Sequence, residues 1–116
     1  MQRDARAYLW DAVQAANSVR AFIRARNYEA FAEDDLVRSA VERQLQIVGE
    51  ALAQLAKLDP QSAATVPDLP RIIAFRNILV HGYAGIDYET VWRLIQEKLP
   101  ELISNLTAIL DERGAP

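Results

Sequence analysis

Residues 34–60, DDLVRSAVERQLQIVGEALAQLAKLDP, decide the fold. Val37, Val41, Leu45, Val48, Leu52 and Leu55 recur at three- and four-residue steps, the period of one helical face. Arg43, Gln46, Glu50, Gln54 and Lys57 make the other face polar. Asp34 or Asp35 offers a carboxylate to the free N–H groups of a first turn. Asp59-Pro60 ends the run, because a proline pushes the residue before it out of the helical region. A helix with one apolar stripe must bury it against other elements, so the flanking sequence is read for partners.

The same period governs both flanks. Tyr8, Leu9, Ala12, Ala16, Val19, Phe22 and Ile23 predict a helix from about residue 4 to residue 26, with Asn27 as its stop. Residues 59–68, with Pro60 and Pro67, read as a loop. Asp68 is expected to cap a third helix that carries Pro70 in its first turn. The buried side of that helix would be Ile72, Ile73, Phe75, Ile78 and Leu79, and Gly82 would end it near His81. Asp87 opens a fourth segment bearing Val91, Leu94, Ile95, Leu99, Leu102, Ile103, Leu106 and Ile109, which Pro100 should kink or split. Period-two alternation and Asn-Gly hairpin signals are absent. The expected architecture is all-α: a single domain over residues 1–116, an up-and-down bundle of four or five helices.

Composition removes most catalytic chemistries. The 116 residues hold no cysteine, which excludes disulfides, thiolate zinc sites and a cysteine nucleophile. A single histidine rules out paired-histidine metal motifs within one chain, and four glycines cannot build a phosphate-cradling loop. No cofactor and no metal are therefore expected. With 13 Lys+Arg against 16 Asp+Glu the net charge is −3, which argues against a binder held to nucleic acid by bulk electrostatics. Local contact stays open. Only Lys57 and Lys98 are lysines, so the cations are mostly arginine, an excess that genomic composition explains and that also suits phosphate contact. The first residues carry Asp4 and no apolar run behind them, unlike a signal peptide. The apolar stretches 72–75 and 78–80 are too short to span a bilayer, so a cytoplasmic protein without membrane contact is expected.

What remains is concentrated in Arg76-Asn77-Ile78-Leu79-Val80-His81-Gly82-Tyr83. At about 100° per residue Asn77 and His81 share a helical face, while Arg76 and His81 stand about 140° apart. Arg76 has to reach round, or His81 has to sit where the helix unwinds. Taken singly, each residue has a structural explanation: a histidine favours a helix C-terminus, and a mid-helix arginine is usually a solvated charge. Gly49, inside a helix at a cost of about 1 kcal/mol relative to alanine, indicates close helix approach. Arg43 and Glu50 lie two turns apart on one face and read as surface or interface charges, with bracing of Arg76 as the alternative. Arg71 is a further candidate for contact with an RNA backbone. Trp10 and Trp92 read as core or interface aromatics.

The spacing Arg76-x-x-x-x-His81-x-Tyr83 resembles the motif of the HEPN superfamily in its HepT-like form. The likeness extends along the chain through Arg3-Asp4, Tyr8-Leu9, Asp11, Ala40-Val41-Glu42-Arg43, Ile47-Val48-Gly49-Glu50-Ala51, Asp87, Val91-Trp92 and Leu99-Pro100. One departure is Pro70-Arg71, where that family often has Pro-Trp. The resemblance implies a metal-independent endoribonuclease, the toxin of a toxin–antitoxin pair. Its antitoxin would be a minimal nucleotidyltransferase that attaches AMP to Tyr83.

The chemistry of these side chains is compatible with that activity. RNA cleavage by the 2′-hydroxyl needs a base, an acid for the leaving 5′-oxygen and positive charge on the phosphorane. Histidine is the side chain suited to proton transfer near neutrality, which gives His81 that part. Arg76 can hold a phosphate bidentately, and Asn77 can orient substrate or His81. One histidine faces two proton transfers, so a homodimer that packs the third helix against its mate is expected, with a single histidine serving both steps in turn, or water taking one role, as the alternatives. Two alternatives stand beside this: a non-catalytic subunit that presents nucleotide or substrate to a nucleotidyltransferase, and a helical adaptor.

Overall fold

The computed structural model describes residues 3–82 and 85–114, which form seven α-helices and no strand. They are α1 (Ala5–Phe22), α2 (Tyr28–Glu33), α3 (Asp35–Leu58), α4 (Pro60–Ala63), α5 (Leu69–His81), α6 (Tyr88–Glu97) and α7 (Leu99–Arg113). Five are long and two are single-turn pieces, so the all-α bundle stands with two short helices added to it.

Caps explain most of the boundaries. Asp4 accepts from the Arg6 amide to open α1, Asp34 from the amides of Leu36 and Val37 to open α3, and Asp87 from those of Glu89 and Thr90 to open α6. The first helix stops at Phe22 and not near residue 26, because Ala25 turns left-handed at φ 63°. Asn27 is not a stop but a start: its side chain accepts from the Ala30 amide at 2.8 Å and opens α2. Pro60 likewise begins α4, where Asp59 accepts from both the amide and the hydroxyl of Ser62. Four- and six-residue helices are too short to display a 3.6-residue period, and residues 59–68 therefore read as loop.

Two expected caps differ in kind. Asp68 precedes α5 in the left-handed region, at φ 60°, and makes no side-chain cap. Gly82 does follow α5, but at φ −76°, an ordinary right-handed value. A Cβ at Gly82 would run into the Ile78 carbonyl oxygen and stand 3.3 Å from Ile86 Cγ1, so space and not handedness requires the glycine. Pro100 splits the last segment: α6 ends at Glu97, and the proline occupies the first turn of α7, where its missing N–H costs nothing.

The long helix α3 lies between α1 and α5, and α1 packs in turn on α7. Leu9, Ala12, Ala16 and Val19 of α1 meet Val41, Leu52 and Leu55 of α3 in a core that excludes solvent, joined by Val91 and Leu106. Phe31 on α2 is fully buried, with the Trp92 ring 5.2 Å and the Tyr88 ring 6.2 Å from its own. Tyr88 also donates its hydroxyl to Glu42 at 3.4 Å, and burial pushes that carboxyl above the usual carboxylate range.

Helix α5 is the exception to this enclosure. Only Leu69 and Leu79 are buried on it; Ile72, Ile73 and Phe75 are half-buried and Ile78 is 54% exposed. The expected buried side is thus only partly covered, because α5 packs mainly on α3. An apolar groove of about 360 Å³ runs between α5 and the α6–α7 corner, lined by Leu45, Val48, Phe75, Leu94 and Leu102.

Phe31→Ala empties the aromatic cluster that seats the unforeseen α2. The expected loss is about 3–5 kcal/mol of unfolding free energy, read as a lowered urea midpoint; a midpoint unchanged from wild type would contradict this packing.

Candidate active site

The site begins with an approach of two backbones. A Cβ on Gly49 of α3 would stand 2.6 Å from Cγ of Arg76 on α5 and closer still to its Cβ. Only glycine leaves room for Arg76 to begin its side chain against α3. The expected close helix approach thus has a definite partner.

That seat fixes how the guanidinium is presented. Nε of Arg76 is buried and has no hydrogen-bond partner among the described residues. Nη1 donates to Asn77 Oδ1 at 2.7 Å, and Nη2 lies 3.8 Å from Glu50 Oε1. The same Glu50 oxygen lies 4.0 Å from Nη1 of Arg43, which also donates to Gln46 Oε1 at 3.4 Å. Glu50 therefore braces Arg76 as well as facing solvent, the alternative that spacing on α3 had left open. Ion pairs as exposed as these contribute little to stability.

Of the residues singled out by sequence, Arg76 and Asn77 are brought together. Asn77 gives its carbonyl oxygen to its neighbour, not to His81. His81 is the last residue of α5 and is exposed, with no hydrogen bond or ion pair joining it to Arg76 or Asn77 among the described residues. The helix runs on through residue 81 without unwinding, so Arg76 and His81 remain on different stripes of one α5. Tyr83 lies outside the described residues. Arg71 is exposed at the rim of the apolar groove. Trp92 packs inside against Tyr28 and Phe31, and Trp10 is 44% exposed.

Among the described residues no three His, Asp or Glu side chains gather into a metal-ligand cluster, and no helix is long and apolar enough to cross a membrane. The arrangement offers a half-buried cation whose terminal nitrogens are directed to Asn77 and Glu50 and, on the same helix, an exposed imidazole. These are the groups that bind an anionic phosphate and move a proton.

The Gly49 contact has a measurable sign. Alanine in a helix is ordinarily about 1 kcal/mol better than glycine. Gly49→Ala is expected to lower stability instead, by about 1–3 kcal/mol, since the methyl group overpacks against Arg76. Thermal or urea unfolding decides it, and a stabilised variant would refute the close approach.

Comparison with known proteins places the whole chain. Residues 12–109 match the family described as Ribonuclease HepT-like, a span that holds Gly49, Arg76 and His81. A protein of Methanocaldococcus jannaschii named "Putative RNase" is 35% identical over 101 residues, covering 87% of this chain and 92% of its own. "Probable ribonuclease HepT" of Thermococcus cleftensis is 31% identical over 105 residues, covering 88% of this chain and 92% of its own. A further "Putative RNase", from Caldanaerobacter subterraneus, is 30% identical over 107 residues and covers 92% and 95%. No solved structure matches with significance. A family match over residues 12–109, with relatives more than 30% identical across most of both chains, makes this chain a member of the HepT-like ribonuclease family.

Proposed function

We propose that this chain is a metal-independent endoribonuclease that acts as the toxin of a toxin–antitoxin pair. The observation that carries the proposal is the seating of Arg76, whose stem is locked on Gly49 while 32% of its side chain stays exposed. Family membership supports ribonuclease chemistry, and the side chains supply a route for it. The 2′-hydroxyl attacks the adjacent phosphorus and gives its proton to an imidazole. The bond to the 5′-oxygen breaks, and that oxygen takes a proton from an acid, leaving a cyclic phosphate and a 5′-hydroxyl. Arg76 holds the non-bridging oxygens as negative charge grows on them.

Two proton transfers and one histidine per chain call for a second copy. In this proposal α5 packs on its mate, so that the His81 side chains of both protomers and both Arg76 guanidiniums line one cleft. The 54% exposure of Ile78, between Asn77 and His81 in the chain, supports such a contact, because an apolar residue of that size favours cover. A two-fold pairing also removes the problem that Arg76 and His81 occupy different stripes of a single helix, since the imidazole and guanidinium that act together can belong to different protomers.

Silencing would come from a minimal nucleotidyltransferase. Its reaction joins the Tyr83 hydroxyl oxygen to the α-phosphorus of ATP, breaks the bond to the β-phosphate, and releases pyrophosphate and a proton. An anionic nucleotide two residues beyond His81 would occupy the phosphate site and pair with Arg76.

Labelled RNA incubated in EDTA tests the catalytic step. Arg76→Ala and His81→Ala are each expected to slow cleavage by at least about 10²-fold, with the dimer retained in sedimentation. Equal, intact RNA with wild type and variants would favour the non-catalytic nucleotide-binding subunit. Co-expression with an adjacent nucleotidyltransferase gene is expected to add the mass of one or more AMP groups at Tyr83, and Tyr83→Phe to remain toxic; full neutralisation of that variant would refute the modification.

A further inference from the structure

We infer that Arg43 on α3 is a second phosphate-binding residue, which holds the RNA backbone at a phosphate neighbouring the one that Arg76 engages. The ribonuclease reading identifies the ligand and the inference rests on it, but the contact itself is argued from the geometry beside Arg76. Glu50 Oε1 lies within ion-pair distance of both guanidiniums, so Arg43 and Arg76 converge on one oxygen from two helices. Two cations sharing one anion leave a net positive charge at a place where the chain as a whole is acidic. A phosphodiester, with one negative charge, matches what is left over.

The donors of Arg43 are available for this. Its contacts to Gln46 and Glu50 both use Nη1, which leaves Nε and Nη2 without a partner among the described residues, and its side chain is 60% exposed. A guanidinium with an unused edge is a bidentate phosphate ligand. Arg76 differs: its Nε is buried and its two terminal nitrogens are already directed to Asn77 and Glu50. Glu50 Oε1 lies between the two forks, 4.0 Å from Arg43 and 3.8 Å from Arg76, so one strand can meet both. Gln46, also on α3, takes a hydrogen bond from the same Nη1 and so leaves the other edge of the Arg43 fork unused.

The test is binding, independent of cleavage. A fluorescent hexanucleotide of 2′-O-methyl RNA, which cannot be cut, and a dinucleotide with a single phosphodiester are titrated into the wild-type chain. Arg43→Gln is expected to weaken the hexanucleotide about tenfold at low salt and to reduce the slope of log K against log salt by about one. It should leave the dinucleotide within about twofold, a change too small to represent a lost charge-assisted contact. Arg43→Lys should restore most of the salt slope. Unchanged hexanucleotide binding, equal losses on both ligands, or no hexanucleotide binding by wild type would each overturn the inference. Uncut natural RNA together with the expected Arg43 effect would remove the catalytic reading and leave the phosphate contact in place.

Discussion

The contact between the Gly49 backbone and the Arg76 side chain governs what the rest of the molecule can do. Glycine is unfavourable inside a helix by about 1 kcal/mol, and α3 accepts that cost at its middle. In exchange α5 lies close enough for the arginine's stem to rest on α3, and only the far end of the side chain is left to solvent. A guanidinium restrained at its stem loses less freedom when it grips an anion than one on a free surface. Glu50, the residue after the glycine, then lies in reach of that guanidinium without any further adjustment of the backbone.

Everything else about α5 follows from its having a single large neighbour. The enclosed core runs through α1, α3 and α7, with Leu9, Val19, Leu52 and Leu106 shut away from water. By contrast α5 buries two residues, leaves Ile78 in solvent and borders an apolar groove. The helix that bears Arg76 and His81 is thus one that the fold leaves largely uncovered. Under the proposed function a substrate needs access to Arg76 and His81, which a fully packed α5 would deny.

Where the sequence is legible, the controlling interaction is local. The α3 stripe repeats over enough turns to define its own period, and the carboxylates of Asp4, Asp34 and Asp87 reach amides two or three residues on. Asp68 has the same composition and position but lies in a left-handed turn, so its side chain misses the helix it precedes. Helices α2 and α4 are too short for periodicity, and their caps, Asn27 and Asp59, look like terminators because the same residue types end helices and begin them.

The amino-acid order alone determined the long helices, the break at Pro100 and the spacing of Arg76, Asn77, His81 and Tyr83, since each depends on neighbours within one or two turns. Which backbone Gly49 admits, how far α5 is left uncovered, and that one Glu50 oxygen serves both Arg43 and Arg76 were decided only by the packed chain. The contacts made by Arg76 join α3 to α5 across an intervening turn and helix. Their distances are set by how the core side chains fill the space between helices, a property of all the elements together and of no single stretch of sequence.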